Sequence, residues 1–278
     1  MSIATGGRAG AAASPWAQTV AWRLVGAEFL KVRKRRGLVV LATMLTAGAI
    51  VVAGAVLALL HARDPAKYGP AGGLANLANA AYILSMLGTV AAVLVGATMG
   101  AGDLQAGVFR DLVATGRSRL ALFAARIPGG LALLWPLVAV AWLIAAVGSV
   151  LLAGSGPQPG LTVMALGGAW ALLATAAAYL MALGLASLSA SRAGTVGILL
   201  AWQFAVTPLI LAVSKLGVLR EGLLTAALDR VLPAGLLPGA RPDPVSATMS
   251  IAVAVAVIAA WAIVSLAAGA WRTRTRDA

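Results

Sequence analysis

The sequence predicts an all-α integral membrane protein with six transmembrane helices, and three observations carry that prediction. Of 278 residues, 61% are hydrophobic and 10% charged, whereas a soluble domain carries roughly 45–50% apolar and about 25% charged residues. No Asp, Glu, Lys or Arg falls within 37–60, 68–102, 127–191, 193–214 or 244–271. Each of these stretches meets the roughly 20 apolar residues needed to cross a hydrocarbon core about 30 Å thick. The 65 residues of 127–191 hold two spans, because Gly154-Ser155-Gly156-Pro157-Gln158-Pro159-Gly160 breaks any helix there. The predicted spans are Leu38–Leu60, Leu74–Ala101, Leu120–Ala153, Leu161–Ser189, Ala193–Val213 and Val245–Trp271.

In chain order, 1–36 is a basic segment whose second part predicts a helix over Trp16–Arg36. Trp16, Val20, Leu24 and Ala27 share one face at helical spacing, and Phe29 and Val32 fall off it. Such a helix lies in a headgroup layer with Lys31, Arg33, Lys34, Arg35 and Arg36 on anionic lipid, or else simply extends the first span. The apolar run 37–60 has 24 residues, more than the 7–15 of a secretion signal, so it is an uncleaved span. Arg126, inside the third span near its end, is expected to snorkel to the headgroups.

Between spans two and three, Leu104, Val108 and Leu112 form an i, i+4, i+8 stripe, with Asp103, Gln105, Arg110 and Asp111 on other faces. This predicts a short surface helix that Gly116 ends, after which Ser118 caps the next helix. Between spans five and six, Leu216, Leu219, Leu223, Ala227 and Val231 recur at three- and four-residue steps, and Pro233, Pro238, Pro242 and Pro244 follow. Segment 214–244 is therefore read as an interfacial or partly re-entrant helix with an irregular return, capping the outer end of a pathway. The chain reads as one transmembrane domain, 1–278: a basic segment 1–36, a six-helix bundle 38–271 and a basic tail 272–278.

The net charge of +13 raises the question of nucleic acid, and the distribution of the basic residues answers it. Six spans place both termini on one side; that side holds 15 Lys and Arg, and the other holds six. By the positive-inside rule the termini are cytoplasmic, and the charge reads as topology and lipid contact.

The inventory of reactive groups narrows the chemistry. There is no cysteine and a single histidine, His61, which leaves no thiol nucleophile and too few ligands for a zinc site. None of the four lysines follows a glycine, so a phosphate-binding Walker loop is missing. No Gly-x-Ser-x-Gly or His-Glu-x-x-His occurs, and no span centre carries the charge on which ion-driven carriers rely. No catalytic residue, bound cofactor or metal is expected in this chain. Among polar groups within the spans, Gln203 and Thr207 in span five stand out, because an amide at mid-span must face another helix or a cavity. Gly96-Ala97-Thr98-Met99-Gly100 fits a close-approach pattern, although 32 glycines make chance matches common.

The stretch from Asp103 through Gly107, Arg110, Leu112 and Gly116 to Ser118-Arg119 resembles the cytoplasmic loop of type-2 permeases of ATP-binding cassette transporters. Asp103 matches that family's acid, Gly107 its glycine, Arg110 its basic position, Leu112 a leucine, and Ser118-Arg119 the Ser-Arg before span three. Val108 departs from a common threonine. The basic N-terminal segment, six spans and long apolar segment before span six are similar as well. The resemblance implies a non-catalytic permease half in a cell membrane, of bacterial setting, exporting an apolar or amphipathic substrate. It further implies a coupling helix comprising Asp103, Leu104, Gly107, Val108, Phe109, Arg110, Leu112 and Gly116 with Ser118 and Arg119, seated on a separate ATPase. Two ATPase subunits that bind ATP and Mg, and a second permease half, would complete the transporter. The competing expectations are a membrane-embedded solute-binding component of an uptake system and a non-transporting scaffold or immunity protein.

Overall fold

The computed structural model describes residues 15–114, 116–236 and 248–275, without the side chains of 15–21, 109, 110 and 214. Among them the chain is helical with no strand. An N-terminal helix α1, Pro15–Lys34, is followed by six helices long and apolar enough to span a membrane. These are α2 (Arg36–Arg63), α3 (Gly73–Gln105), α5 (Arg119–Leu151), α6 (Leu161–Ser189), α7 (Arg192–Ala212) and α9 (Ile251–Thr275). The short helices α4 (Phe109–Ala114) and α8 (Leu224–Val231) lie in the connections after α3 and α7. The protein is thus an all-α, multi-pass membrane protein. Predicted and observed spans agree closely except for the sixth, whose helix begins at Ile251 and runs on to Thr275; residues 237–247 lie outside the described set.

Length places the charged residues along these helices. At 1.5 Å per residue, the 33 residues of α3 and of α5 extend about 50 Å, some 20 Å more than the hydrocarbon core needs. The end of the bundle that carries α1, α4 and the C-terminal end of α9 is called here the basic end. There the Arg119 guanidinium donates to the Arg274 carbonyl.

α6 is the hub of the bundle, and glycine lets its neighbours approach. A Cβ on Gly96 would meet the Tyr179 carbonyl at 2.5 Å, and one on Gly100 would meet the Leu183 carbonyl at 2.6 Å. The Gly96/Gly100 spacing is therefore a true close-approach face between α3 and α6. On the other side of α6, a Cβ on Gly184 would fall 2.1 Å from the Ser265 carbonyl of α9.

The chain between α7 and α9 re-enters the bundle. A 3₁₀ segment, Ser214–Gly222, leads into α8. Trp261 Nε1 donates to the Gly222 carbonyl at 2.9 Å, and Trp261 lies ten residues, about 15 Å, inside the start of α9. Trp170 Nε1 donates to the Leu228 carbonyl at 2.8 Å, nine residues, about 14 Å, inside the start of α6. Leu223, Ala226 and Ala227 bury against α6 and α9. Of the two readings offered by the sequence, the described part of this segment follows the re-entrant one. The tryptophans supply the partners that backbone carbonyls need at such depth.

Candidate functional site

Two polar sites stand out. At the basic end, Arg126 is 1% exposed and Asp103, the third residue from the end of α3, is 8% exposed. Arg126 Nη2 donates to Asp103 Oδ2 at 2.9 Å, and Nη1 donates to the Gly100 carbonyl at 3.2 Å. The same Asp103 oxygen accepts from Lys31 Nζ of α1 at 2.9 Å, and Lys31 also pairs with Glu28 at 2.6 Å. Tyr179 of α6 donates its hydroxyl to the Arg126 carbonyl at 2.6 Å. It reaches that carbonyl because position 130 is glycine: a Cβ there would sit 2.1 Å from the hydroxyl oxygen. Four helices, α1, α3, α5 and α6, thus converge on one charge cluster. Burial pushes the Glu28 carboxyl above its ordinary value, and the Lys31 ammonium opposes the shift.

This arrangement corrects several expectations. Arg126 does not snorkel to headgroups; an acid from the neighbouring helix holds it inside the protein. Lys31 turns inward rather than to lipid, while Arg33, Lys34, Arg35 and Arg36 are exposed. Trp16 and Val20 of the predicted face lie outside the described side chains. Among the described side chains of α1 the buried ones are Glu28 and Val32, with Leu24 half-buried and Ala27 exposed, so the packed face there is rotated from the predicted one. It meets α5, where Gly129 makes room for Glu28.

The connection after α3 is not one helix over 103–117. Asp103, Leu104 and Gln105 end α3, the chain turns over 106–108 with Gly107 at φ +70°, and α4 occupies Phe109–Ala114. The Leu104, Val108, Leu112 stripe is therefore split across a turn that glycine's left-handed conformation permits. Val108 is exposed, Leu104 and Leu112 are half-buried, and the side chains of Phe109 and Arg110 lie outside the described set. Gly116, at φ +79°, closes α4 through a bond to the Val113 carbonyl. The Ser118 side chain caps α5 by accepting from the Ala121 N–H at 3.1 Å, as its position before Arg119 predicts.

The second site is a cavity of about 300 Å³ in the opposite half of the bundle, between α3, α6, α7 and α8. Gln203 lines it, and the Thr225 hydroxyl donates to Gln203 Oε1 at 3.4 Å. Thr207, buried one turn further on, does not reach the cavity. Two of the three flanking spans open into a wider, π-type turn here, Leu84–Gly88 in α3 and Trp202–Val206 in α7, while a further such turn, Met44–Gly48 in α2, lies away from the cavity. Such turns re-aim side chains and recur at functional sites. Trp202 packs on Trp261 with ring centroids 6.1 Å apart. Among the described residues no group of His, Asp or Glu could hold a metal ion.

Sequence reasoning singled out Asp103 and Gln203 but missed their partners, Arg126 and Lys31 for the first and Thr225 for the second, and the roles of Glu28 and Tyr179. A signal for the first existed: an Asp at the end of one span and an Arg eight residues into the next α-helical span are candidates to neutralise each other. No protein-family model matches the chain, and no curated protein matches it.

Proposed function

We propose that this protein is the permease subunit of an ATP-binding cassette transporter of the type-2 class, exporting an apolar or amphipathic molecule. ATP hydrolysis belongs to a partner chain, and a second permease half completes the pathway. The observation that carries the reading is the connection between α3 and α5. An exposed turn and short helix at the basic end are rooted, through Asp103, in a cluster that also grips α1, α5 and α6. A force applied to α4 by a docked ATPase would pass into four helices through ionic and hydrogen bonds rather than through a loose loop. The termini then face the cytoplasm, in keeping with the 15 to six distribution of basic residues.

The test is affinity purification of the tagged chain from its native membrane. A stoichiometric ATPase is the expected companion, lost when Phe109–Ala114 is replaced by a Gly/Ser linker of equal length while the bundle stays folded. An ATPase retained by that variant, or no ATPase with the native chain, overturns the reading. A small molecule held tightly by the chain without any ATPase would favour the solute-binding alternative.

A further inference from the structure

Cavity size alone does not select a ligand site in a membrane bundle. The groove between α5 and α6, about 730 Å³, is the larger space, and its lining, Leu143, Val147, Leu151, Leu161 and similar residues, is apolar; lipid chains suffice to fill it. The cavity of about 300 Å³ differs in kind. It is at the lower end of ligand-pocket volumes, and two wide turns and a re-entrant helix build it around hydrogen-bonding groups.

Its walls combine aromatic and flexible apolar surface with one polar corner. Trp170, Trp202, Met86 and Met181 supply the first. Gln203 and Thr225 supply the second, joined by a bond of 3.4 Å, longer than the usual range for a hydroxyl donor; Asp229 also lines the cavity but already has an interaction within the chain. A primary amide carries two N–H donors and an acceptor, so one long bond leaves most of its capacity to an occupant. Ser85 and Thr89 spend their hydroxyls on carbonyls of their own helix and offer little. Tyr82 of α3, 51% exposed, marks an open side of the cavity, and Gln203 lies near the middle of its span.

We propose that this cavity binds a neutral molecule with a mostly apolar, aromatic body and a hydroxyl or amide group. The molecule enters by the open side at Tyr82 and anchors its polar group on Gln203 and Thr225. The site is a property of this chain by itself and does not depend on an ATPase partner.

Two photoreactive probes test it on the full chain in lipid nanodiscs: 4-(hydroxymethyl)benzophenone and plain benzophenone, which lacks the hydroxyl. Benzophenone attacks methionine C–H bonds preferentially, and the chain carries an internal contrast. Met86 and Met181 line the cavity, whereas Met44 faces outward at 57% exposure. The hydroxymethyl probe is expected to label Met86 and Met181 saturably and Met44 in proportion to concentration. Gln203→Leu and, separately, the near-isosteric Thr225→Val should lower the saturable yield about fivefold, the effect of one lost hydrogen bond. Labelling of the same methionines by plain benzophenone should persist in both variants, which reports that the cavity is still folded. Labelling of Met86 and Met181 that never saturates, or an equal response of both probes to the two substitutions, overturns the proposal.

Discussion

The two ends of the bundle use polar groups in opposite ways. At the basic end, five polar side chains from four helices share short bonds of 2.6–2.9 Å, and the central arginine is 1% exposed. In the opposite half, two polar side chains meet at 3.4 Å beside an open cavity. In the first arrangement each helix fixes its neighbours, because moving one strands a charge in an apolar interior. In the second, the helices are held by packing and by tryptophan bonds to carbonyls, and the polar pair has capacity to spare. The contrast teaches where a membrane protein with few polar residues is rigid and where it can exchange a partner.

The largest expected effect breaks the rigid end. Removing one partner of a buried ion pair costs about 3–5 kcal/mol, because the other charge is left uncompensated. Arg126→Met should destabilise the bundle by that order, with Asp103→Leu close behind. The double variant Arg126→Met/Asp103→Leu should recover much of the loss, since a charge-free pair avoids desolvation altogether. Unfolding free energies in mixed micelles across this cycle check the claim. Additive losses would mean that the contact carries no coupling.

Next in size is the close approach around α6. Gly184→Ala places a Cβ 2.1 Å from a backbone carbonyl of α9 and should cost about 1–3 kcal/mol, as overpacking does. Gly148→Ala and Gly54→Ala meet nothing within 4 Å and should be neutral or slightly stabilising, because alanine is the better helix former. Thermal unfolding of the three variants ranks them. In the cavity, Thr225→Val removes one long hydrogen bond and should cost less than about 1 kcal/mol, an effect smaller on stability than on ligand capture.

The spans were legible because charge is excluded from them, and lipid enforces that exclusion along the whole chain. Ser118, Gly116 and Gln203 were legible because each has a local reason to be what it is: a cap, a left-handed turn, an amide that needs a cavity. Arg126 was misread because snorkelling is a property of one helix, while its partner sits on another helix 23 residues away. The face of α1 was misread for a related reason. Apolar periodicity pointed to Trp16, Val20, Leu24 and Ala27, but the helix α1 packs on offers Gly129 and the Asp103–Arg126 pair beside it, so Glu28 and Lys31 face inward instead. The split at Gly107 is visible only once the fold needs Asp103 to stay on α3.

The smallest effect sharpens the comparison by titrating the rigid end. Glu28 lies on α1, outside the spans, and burial raises its carboxyl above the ordinary value of 4.5. In the window between 4.5 and the raised value the folded protein holds more protons at this site than the unfolded chain, so stability falls as pH rises through it. The contribution is fully present below 4.5 and is gone once pH exceeds the folded value. Lys31 limits the effect, because its 2.6 Å contact with Glu28 favours the ionised form. Glu28→Gln should remove the slope and keep the packing against Gly129, whereas Lys31→Met should steepen it by taking away the compensating charge. Melting temperatures of the three proteins from pH 4 to 8 provide the test. A native slope of opposite sign would show that the ion pair with Lys31 outweighs burial, and would place Glu28 among the groups that lock the basic end rather than among those that strain it.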